Sequence, residues 1–292
     1  MNKESKKIAW LMVLGQFFFQ SSVFIVVVVS FFFDKMDQGM LIGADIGSFL
    51  ANVVILGFFY LVGRKRIELP EVRKQGGFRI VPVALAVILV WNLMIGTFDF
   101  ALSRISAPVD ESGPVPLLFS LITIGVLPAL FEEFAFRKVI YGSMRKYGPV
   151  VAAAFSSTLF GLMHQDLTQG IFAFGMGLVL CYVYEKTGRL VYTILLHFVN
   201  NTISVLLPYI PRYREFGGSI EAFLGVLAMT CILVTLLIPG VRKKLVTCFQ
   251  PAFQVVKSRI RECFVTVPMG IYAVICIGMT IVTAIIKYGG AL

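Results

Sequence analysis

The chain is written mainly in long apolar runs broken by short polar segments. Runs of this kind lie near residues 8–33, 40–63, 80–102, 115–141, 149–165, 169–185, 190–207, 219–240 and 264–286. An apolar stretch of about 18 residues or more reads as a membrane-spanning helix, because a helix of that length crosses the hydrocarbon core of a bilayer. The pattern therefore predicts an all-α fold: a polytopic integral membrane bundle of about eight helices, seven to nine allowing for the short runs 149–165 and 169–185. The first run follows Lys6 and Lys7 as a signal peptide would, but it is too long and lacks a small-residue cleavage site, so it reads as an uncleaved span. One polar–apolar mixture stands apart. VRKKLVTCFQPAFQVVKSRIRE, residues 241–262, alternates basic and apolar positions around Pro251 and reads as an interfacial segment on an anionic membrane face. The remainder reads as a single membrane domain, with the motif-bearing part at about 115–207 and no internal repeat.

Composition agrees with the pattern: 58% of the 292 residues are hydrophobic and 14% charged, and the mean hydropathy is +0.87. A water-soluble protein of this length needs far more polar surface. The net charge of +10 belongs to the loops, where Lys and Arg mark the cytoplasmic side. The basic N-terminus, segment 64–79, Arg145-Lys146, Lys186 with Arg189, and the clusters at 242–244 and 257–261 alternate with weakly acidic or mixed loops. The 208–218 loop, with Arg212 and Arg214, is a mild exception. This alternation predicts a cytoplasmic N-terminus in a bacterial cytoplasmic membrane. No basic segment is interleaved with aromatics on a soluble domain, so nucleic acid is not an expected partner; membrane lipids are. The five cysteines, Cys181, Cys231, Cys248, Cys263 and Cys276, show neither a disulfide framework nor metal-binding spacing, and KYGGAL at the C-terminus carries no lipidation cysteine.

Against this apolar background, ionisable groups inside the runs suggest function. Asp45 and Asp99 lie near outer helix ends and read as interfacial or helix-packing carboxylates; Glu185 reads as a solvated helix end. The stretch FEEFAFR is more informative. Glu133 and Arg137 are one helical turn apart, where opposite charges meet. Glu132 points about 100° away and has no partner on its own helix. A carboxylate without a partner in apolar surroundings suits a general base. Pro128, one turn before Glu132, has no N–H to donate, so a kink and a freed carbonyl are expected nearby. The structural alternative is an ion-paired cluster at a helix end. Two further islands follow: FGLMHQD, with Phe160 and His164 on one face, and LLHFVNN, with His197 and Asn201 one turn apart and Asn200 on the flank. Imidazole and carboxamide offer the N–H donors of an oxyanion hole; their structural alternative is interhelical hydrogen bonding. Both histidines of the chain lie within this region. A carboxylate, two imidazoles and a donor amide are the parts needed for water-mediated amide hydrolysis.

Glu-Glu-x-x-x-Arg at 132–137, Phe-x-x-x-His at 160–164 and His-x-x-x-Asn at 197–201 resemble, in order, the three motifs of the CAAX prenyl endopeptidase and bacteriocin-processing (CPBP, or Abi) family of intramembrane proteases, which includes the Ras-converting CAAX endopeptidase. The resemblance covers about 70 residues. It implies an all-helical endopeptidase in which Glu132 activates water with help from His164, His197 and Asn201 stabilise the oxyanion, and Glu133, Arg137 and Phe160 support them. A membrane-associated peptide or protein, in some members a prenylated CAAX end, would be the substrate. The expected mechanism needs no cofactor. A zinc enzyme using both histidines and a glutamate is the alternative, although no HExxH is present. A non-enzymatic immunity or transport protein, built on the same polar groups as a proton relay, is the other. One difficulty is geometric. Straight helices over the expected runs would put Glu132 and His164 at different depths unless tilt, the Pro128 kink or a later helix start brought them together.

Overall fold

The computed structural model describes residue 3 and residues 6–15, 78–103 and 117–288. Among these, every regular element is a helix. Residues 6–15 form α1. They are followed by α2 (Ile80–Ser103), α3 (Leu117–Tyr147), α4 (Pro149–Met163), α5 (Leu167–Thr187), α6 (Leu190–Leu206), α7 (Pro211–Leu237), α8 (Pro239–Cys263) and α9 (Val267–Tyr288). The expected span at 40–63, most of that at 8–33, Asp45 and the loops at 64–77 and 104–116 lie outside the described residues.

Among the described residues, five helical stretches are long and apolar enough to cross a membrane: Ile80–Asp99, Leu117–Tyr147, Leu167–Thr187, Gly218–Leu237 and Val267–Ile285. The protein is a polytopic membrane bundle. Its outer surface is apolar, with Val83, Phe223 and Val274 exposed at 63%, 69% and 72%. In water such a belt would be a liability; against lipid it is the expected exterior. The shorter apolar helices α4 and α6 supply much of the interior, where Val151, Phe155, Leu159, Phe160 and Leu196 are buried.

Local sequence explains most boundaries. Gly148 at φ 104° turns the chain out of α3, and Pro149 opens α4. At the far end of α4, Gln165 takes a left-handed φ of 54°. Asp166 then caps α5 by accepting from the Gln169 N–H. Gly188 at φ 62° closes α5. The expected loop at 208–218 shrinks because Pro211 starts α7 as a first-turn proline. Likewise α3 runs to Tyr147 and not to 141. The segment 241–262 is helical, within α8, and its Arg242, Lys243, Lys244 and Lys257 are exposed.

Helix α3 is irregular where its sequence demands it. Leu121–Val126, just before Pro128, and Phe134–Tyr141, just after the glutamate pair, are π-helical. Wider turns of this kind often mark functional sites, and here the first adjoins the proline whose missing N–H interrupts α-helical bonding. Helix α6 packs against both halves of α3, α4 lies along α5, and α2 packs on α5 and α7. Gly175 allows the α2–α5 contact: a Cβ there would lie 2.3 Å from Trp91 Nε1. The indole instead donates to the Phe172 carbonyl at 3.1 Å.

Candidate active site

The polar islands converge on one cavity of about 620 Å³ whose lining includes Glu132, His164, His197, Asn200 and Asn201. The depth difficulty is removed by two departures from the expected spans. Extending α3 to Tyr147 puts Glu132 midway along it. Ending α4 at Met163 leaves His164 at the tip of a 15-residue helix, about 22 Å long and shorter than the hydrocarbon core. Both side chains therefore reach the same interior space.

Glu133 and Arg137 are completely buried, and Arg137 Nε stands 3.0 Å from Glu133 Oε2. The expected one-turn ion pair is present, but without the alignment of a hydrogen bond, and among the described residues no guanidinium nitrogen has another hydrogen-bond partner. The guanidinium instead lies over the Phe160 ring, 4.6 Å from its centroid, a cation–π contact that favours the charge in a dry interior. The same ring stacks edgewise on His164 at 5.0 Å and His197 at 6.0 Å, and is tilted on Phe136 at 4.9 Å. Phe160 is thus the hub that holds the two imidazoles and the arginine in place.

Glu133 has a second task that sequence spacing did not reveal. Its Oε1 lies 3.0 Å from His197 Nδ1. A carboxylate paired with Arg137 accepts, so the imidazole donates from Nδ1. That turns the ring so that Nε2 faces Glu132, 3.7 Å from Oε2. The distance is beyond a normal hydrogen bond. Arg137, Glu133, His197 and Glu132 therefore stand in sequence, the first two ion-paired, Glu133 holding His197, and the imidazole facing Glu132. Glu132 is the partly accessible end of this row, its side chain 14% exposed.

His164 Nδ1 is 2.8 Å from the Phe160 carbonyl. A carbonyl only accepts, so Nδ1 carries the proton, and in the neutral ring Nε2 is left with its lone pair. Asn201 donates from Nδ2 to the Ile124 carbonyl at 2.9 Å. Ile124 lies in the π-helical turn just before Pro128, and Asn201 reaches its carbonyl from α6. Asn201 thus has one N–H engaged and one remaining, whereas His197 has its Nδ1–H engaged on Glu133 and only its Nε2 remaining.

Sequence reasoning missed Asn92 on α2, whose Nδ2 donates to Asn200 Oδ1 at 3.4 Å. A lone amide within the run VWNLM was the available signal. Asp99 is the helix-packing carboxylate it was expected to be: it accepts from Thr168 Oγ1 at 3.0 Å, joining α2 to α5. Glu185 differs from expectation. It is not simply solvated but accepts from Arg145 Nε at 2.7 Å and Tyr141 Oη at 2.6 Å, because the α3 extension brings both to the end of α5.

Residues 114–203 match the family described as Type II CAAX prenyl endopeptidase Rce1-like. Over this segment, a little under a third of its length, the chain is similar to that family. The Rce1-like segment carries all three motifs and every residue of the row described above. The chain is also similar to the putative membrane peptidase YdiL of Bacillus subtilis, 31% identical over 106 residues, 36% of this chain and 43% of that protein. It is 26% identical over 173 residues to the membrane-embedded CAAX protease MroQ of Staphylococcus aureus, covering 53% of this chain and 68% of that one. The similarity thus spans less than half the length of the first relative and about two thirds of the second. No solved structure matches. Asn92 lies outside the Rce1-like segment.

Proposed function

We propose that the protein is an intramembrane endopeptidase that hydrolyses a peptide bond of a membrane-associated substrate, with a prenylated CAAX-type end as one candidate. The observation that carries this reading is the convergence of Glu132, His164, His197 and Asn201 on one cavity, within the segment that matches the Rce1-like family. Both relatives carry peptidase or protease in their names.

In the proposed reaction Glu132 takes a proton from water, and the oxygen attacks the scissile carbonyl. His164, with its Nε2 lone pair available, accepts a hydrogen bond from the same water and orients it. The oxyanion that forms is met by the remaining N–H of Asn201 and by Nε2–H of His197, which must carry its second proton to donate there. Glu132 returns the proton to the leaving amine as the C–N bond breaks, so the enzyme ends as it began. Glu133, Arg137 and Phe160 are positioning residues: they fix the imidazole of His197 and the hub beside it.

The zinc alternative fits the described residues less well. No group of three His, Cys, Asp or Glu side chains among them is arranged to hold a metal. His197 faces a carboxylate with each nitrogen, and His164 Nδ1 faces a carbonyl. The membrane is taken to be a bacterial cytoplasmic membrane with the N-terminus inside, and α8, with its exposed basic residues, is taken to lie on that face against anionic lipid. Expression of Glu132→Ala and Glu132→Gln, with membrane peptides compared by mass spectrometry, tests the reading. Loss of the same cleavage products in both is expected. Full cleavage in both at normal protein abundance would leave a binding or transport role as the better account.

A further inference from the structure

We infer that Asn92 of α2 and Asn200 of α6 are positioning residues for catalysis, forming a one-directional amide relay that forces Asn201 to present N–H, and never C=O, to the cavity. The inference rests on the endopeptidase reading and extends it to a helix outside the Rce1-like segment.

Three side-chain amides lie in series. Asn92 Nδ2 donates to Asn200 Oδ1 at 3.4 Å, Asn200 Nδ2 to Asn201 Oδ1 at 3.3 Å, and Asn201 Nδ2 to the Ile124 carbonyl at 2.9 Å. A carboxamide can be turned over at almost no cost in shape, which exchanges a donor for an acceptor. The last contact prevents that here. The Ile124 carbonyl can only accept, so Asn201 must turn its nitrogen towards it. Its oxygen then faces Asn200, which must answer with nitrogen, and the oxygen of Asn200 in turn requires the nitrogen of Asn92. Direction is thus set at one end by the Ile124 carbonyl, which can only accept, and maintained at the other by Asn92.

The relay matters because Asn201 Nδ2 carries two protons. One is used on Ile124; the other remains for a developing oxyanion in the cavity that Asn92, Asn200 and Asn201 all line. A reversed amide would set a carbonyl dipole against that charge. Asn200 is buried, at 2% exposure, so its amide cannot turn to bulk water when a partner is lost. Removing Asn92 frees the oxygen of Asn200, lets that amide rotate, and weakens the hold on Asn201. The two bonds upstream are long, and hydrogen bonds in series reinforce one another, so the effect at Asn201 should be graded.

The test uses membranes from cells expressing each full-length variant at matched abundance. The probe is the cell's own pool of membrane peptides, and the readout is the rate at which Glu132-dependent fragments appear. Asn92→Leu, close in shape but unable to donate, is expected to slow fragment formation roughly five- to tenfold, as loss of one hydrogen bond of ordinary strength would. Asn92→Gln, which keeps the donor, should recover most of the rate. If Asn92→Leu lowers abundance, Asn92→Ala, which also cannot donate, serves in its place. The decisive comparison is made in an Asn201→Ala background, where a further Asn92→Leu change should alter the rate by less than about twofold, because the relay then has nothing to orient. An equal slowing in both backgrounds, or an Asn92→Leu protein working at the wild-type rate, overturns the relay while leaving the endopeptidase reading intact. Identical peptide pools from wild-type and Glu132→Gln membranes would sink the endopeptidase reading and the relay together.

Discussion

Arg137→Ala removes the cation from the driest part of the site. Arg137 and Glu133 are both wholly buried and 3.0 Å apart, and the other side chain on that carboxylate, His197, is a cation only while it holds its second proton. Breaking a buried ion pair by deleting one partner costs about 3–5 kcal/mol, since an uncompensated charge is left behind. The guanidinium contact over Phe160, 4.6 Å from its centroid, adds about 1–2 kcal/mol for a desolvated cation on an aromatic face. A loss of this size is a large part of the stability of an ordinary domain. At about 2–4 °C per kcal/mol for a large domain, the melting temperature in detergent should fall by 10 °C or more, with low abundance in membranes ahead of any clean catalytic defect. Glu133→Gln combined with Arg137→Met removes both charges at nearly constant volume and should regain much of the lost stability. Activity should stay low in that double variant, because an amide can present its nitrogen to His197 Nδ1 and no longer fixes which ring nitrogen carries the proton. An Arg137→Ala protein with wild-type melting temperature and abundance would refute the pairing argument.

Three other outcomes are expected. His164→Phe, which keeps the edgewise packing on Phe160, should retain normal thermal stability while fragment production in a reconstituted assay falls by about two orders of magnitude or more; unchanged turnover would remove His164 from the mechanism. Gly175→Leu should destabilise by at least about 1–3 kcal/mol, seen as a lower melting temperature, because even its Cβ would lie 2.3 Å from the Trp91 indole. Prolonged treatment with strong chelators should leave peptide cleavage unchanged, whereas loss restored by stoichiometric zinc would favour the metal-dependent alternative.

Much of this arrangement is legible in the chain because it depends on short-range geometry. The one-turn spacing of Glu133 and Arg137 fixes their pairing. The absence of an N–H at Pro128 fixes a carbonyl in need of a donor, and apolar run length fixes the spanning helices. What escapes a one-dimensional reading is the work done across helices. Glu133 reads as a residue neutralised by Arg137, yet its second oxygen orients His197, from 64 positions further along. Phe160 reads as a supporting residue on the face of His164, yet its ring contacts Arg137 and both imidazoles. Asn92 sits in an unremarked apolar run, 108 positions from Asn200. The depth of Glu132 is hidden because apolar character fades at Tyr141, although backbone bonding continues through Arg145–Tyr147 until Gly148 turns the chain.

The central claim is that Glu132 drives hydrolysis of a peptide bond. It is tested most directly with purified full-length protein in liposomes, incubated with extracted membrane peptides and followed by intact-mass spectrometry. Wild type should generate fragment pairs whose masses sum to a parent peptide plus one water, and Glu132→Gln, folded and equally abundant, should generate none. The same fragment pairs at the same rate from Glu132→Gln would contradict the account.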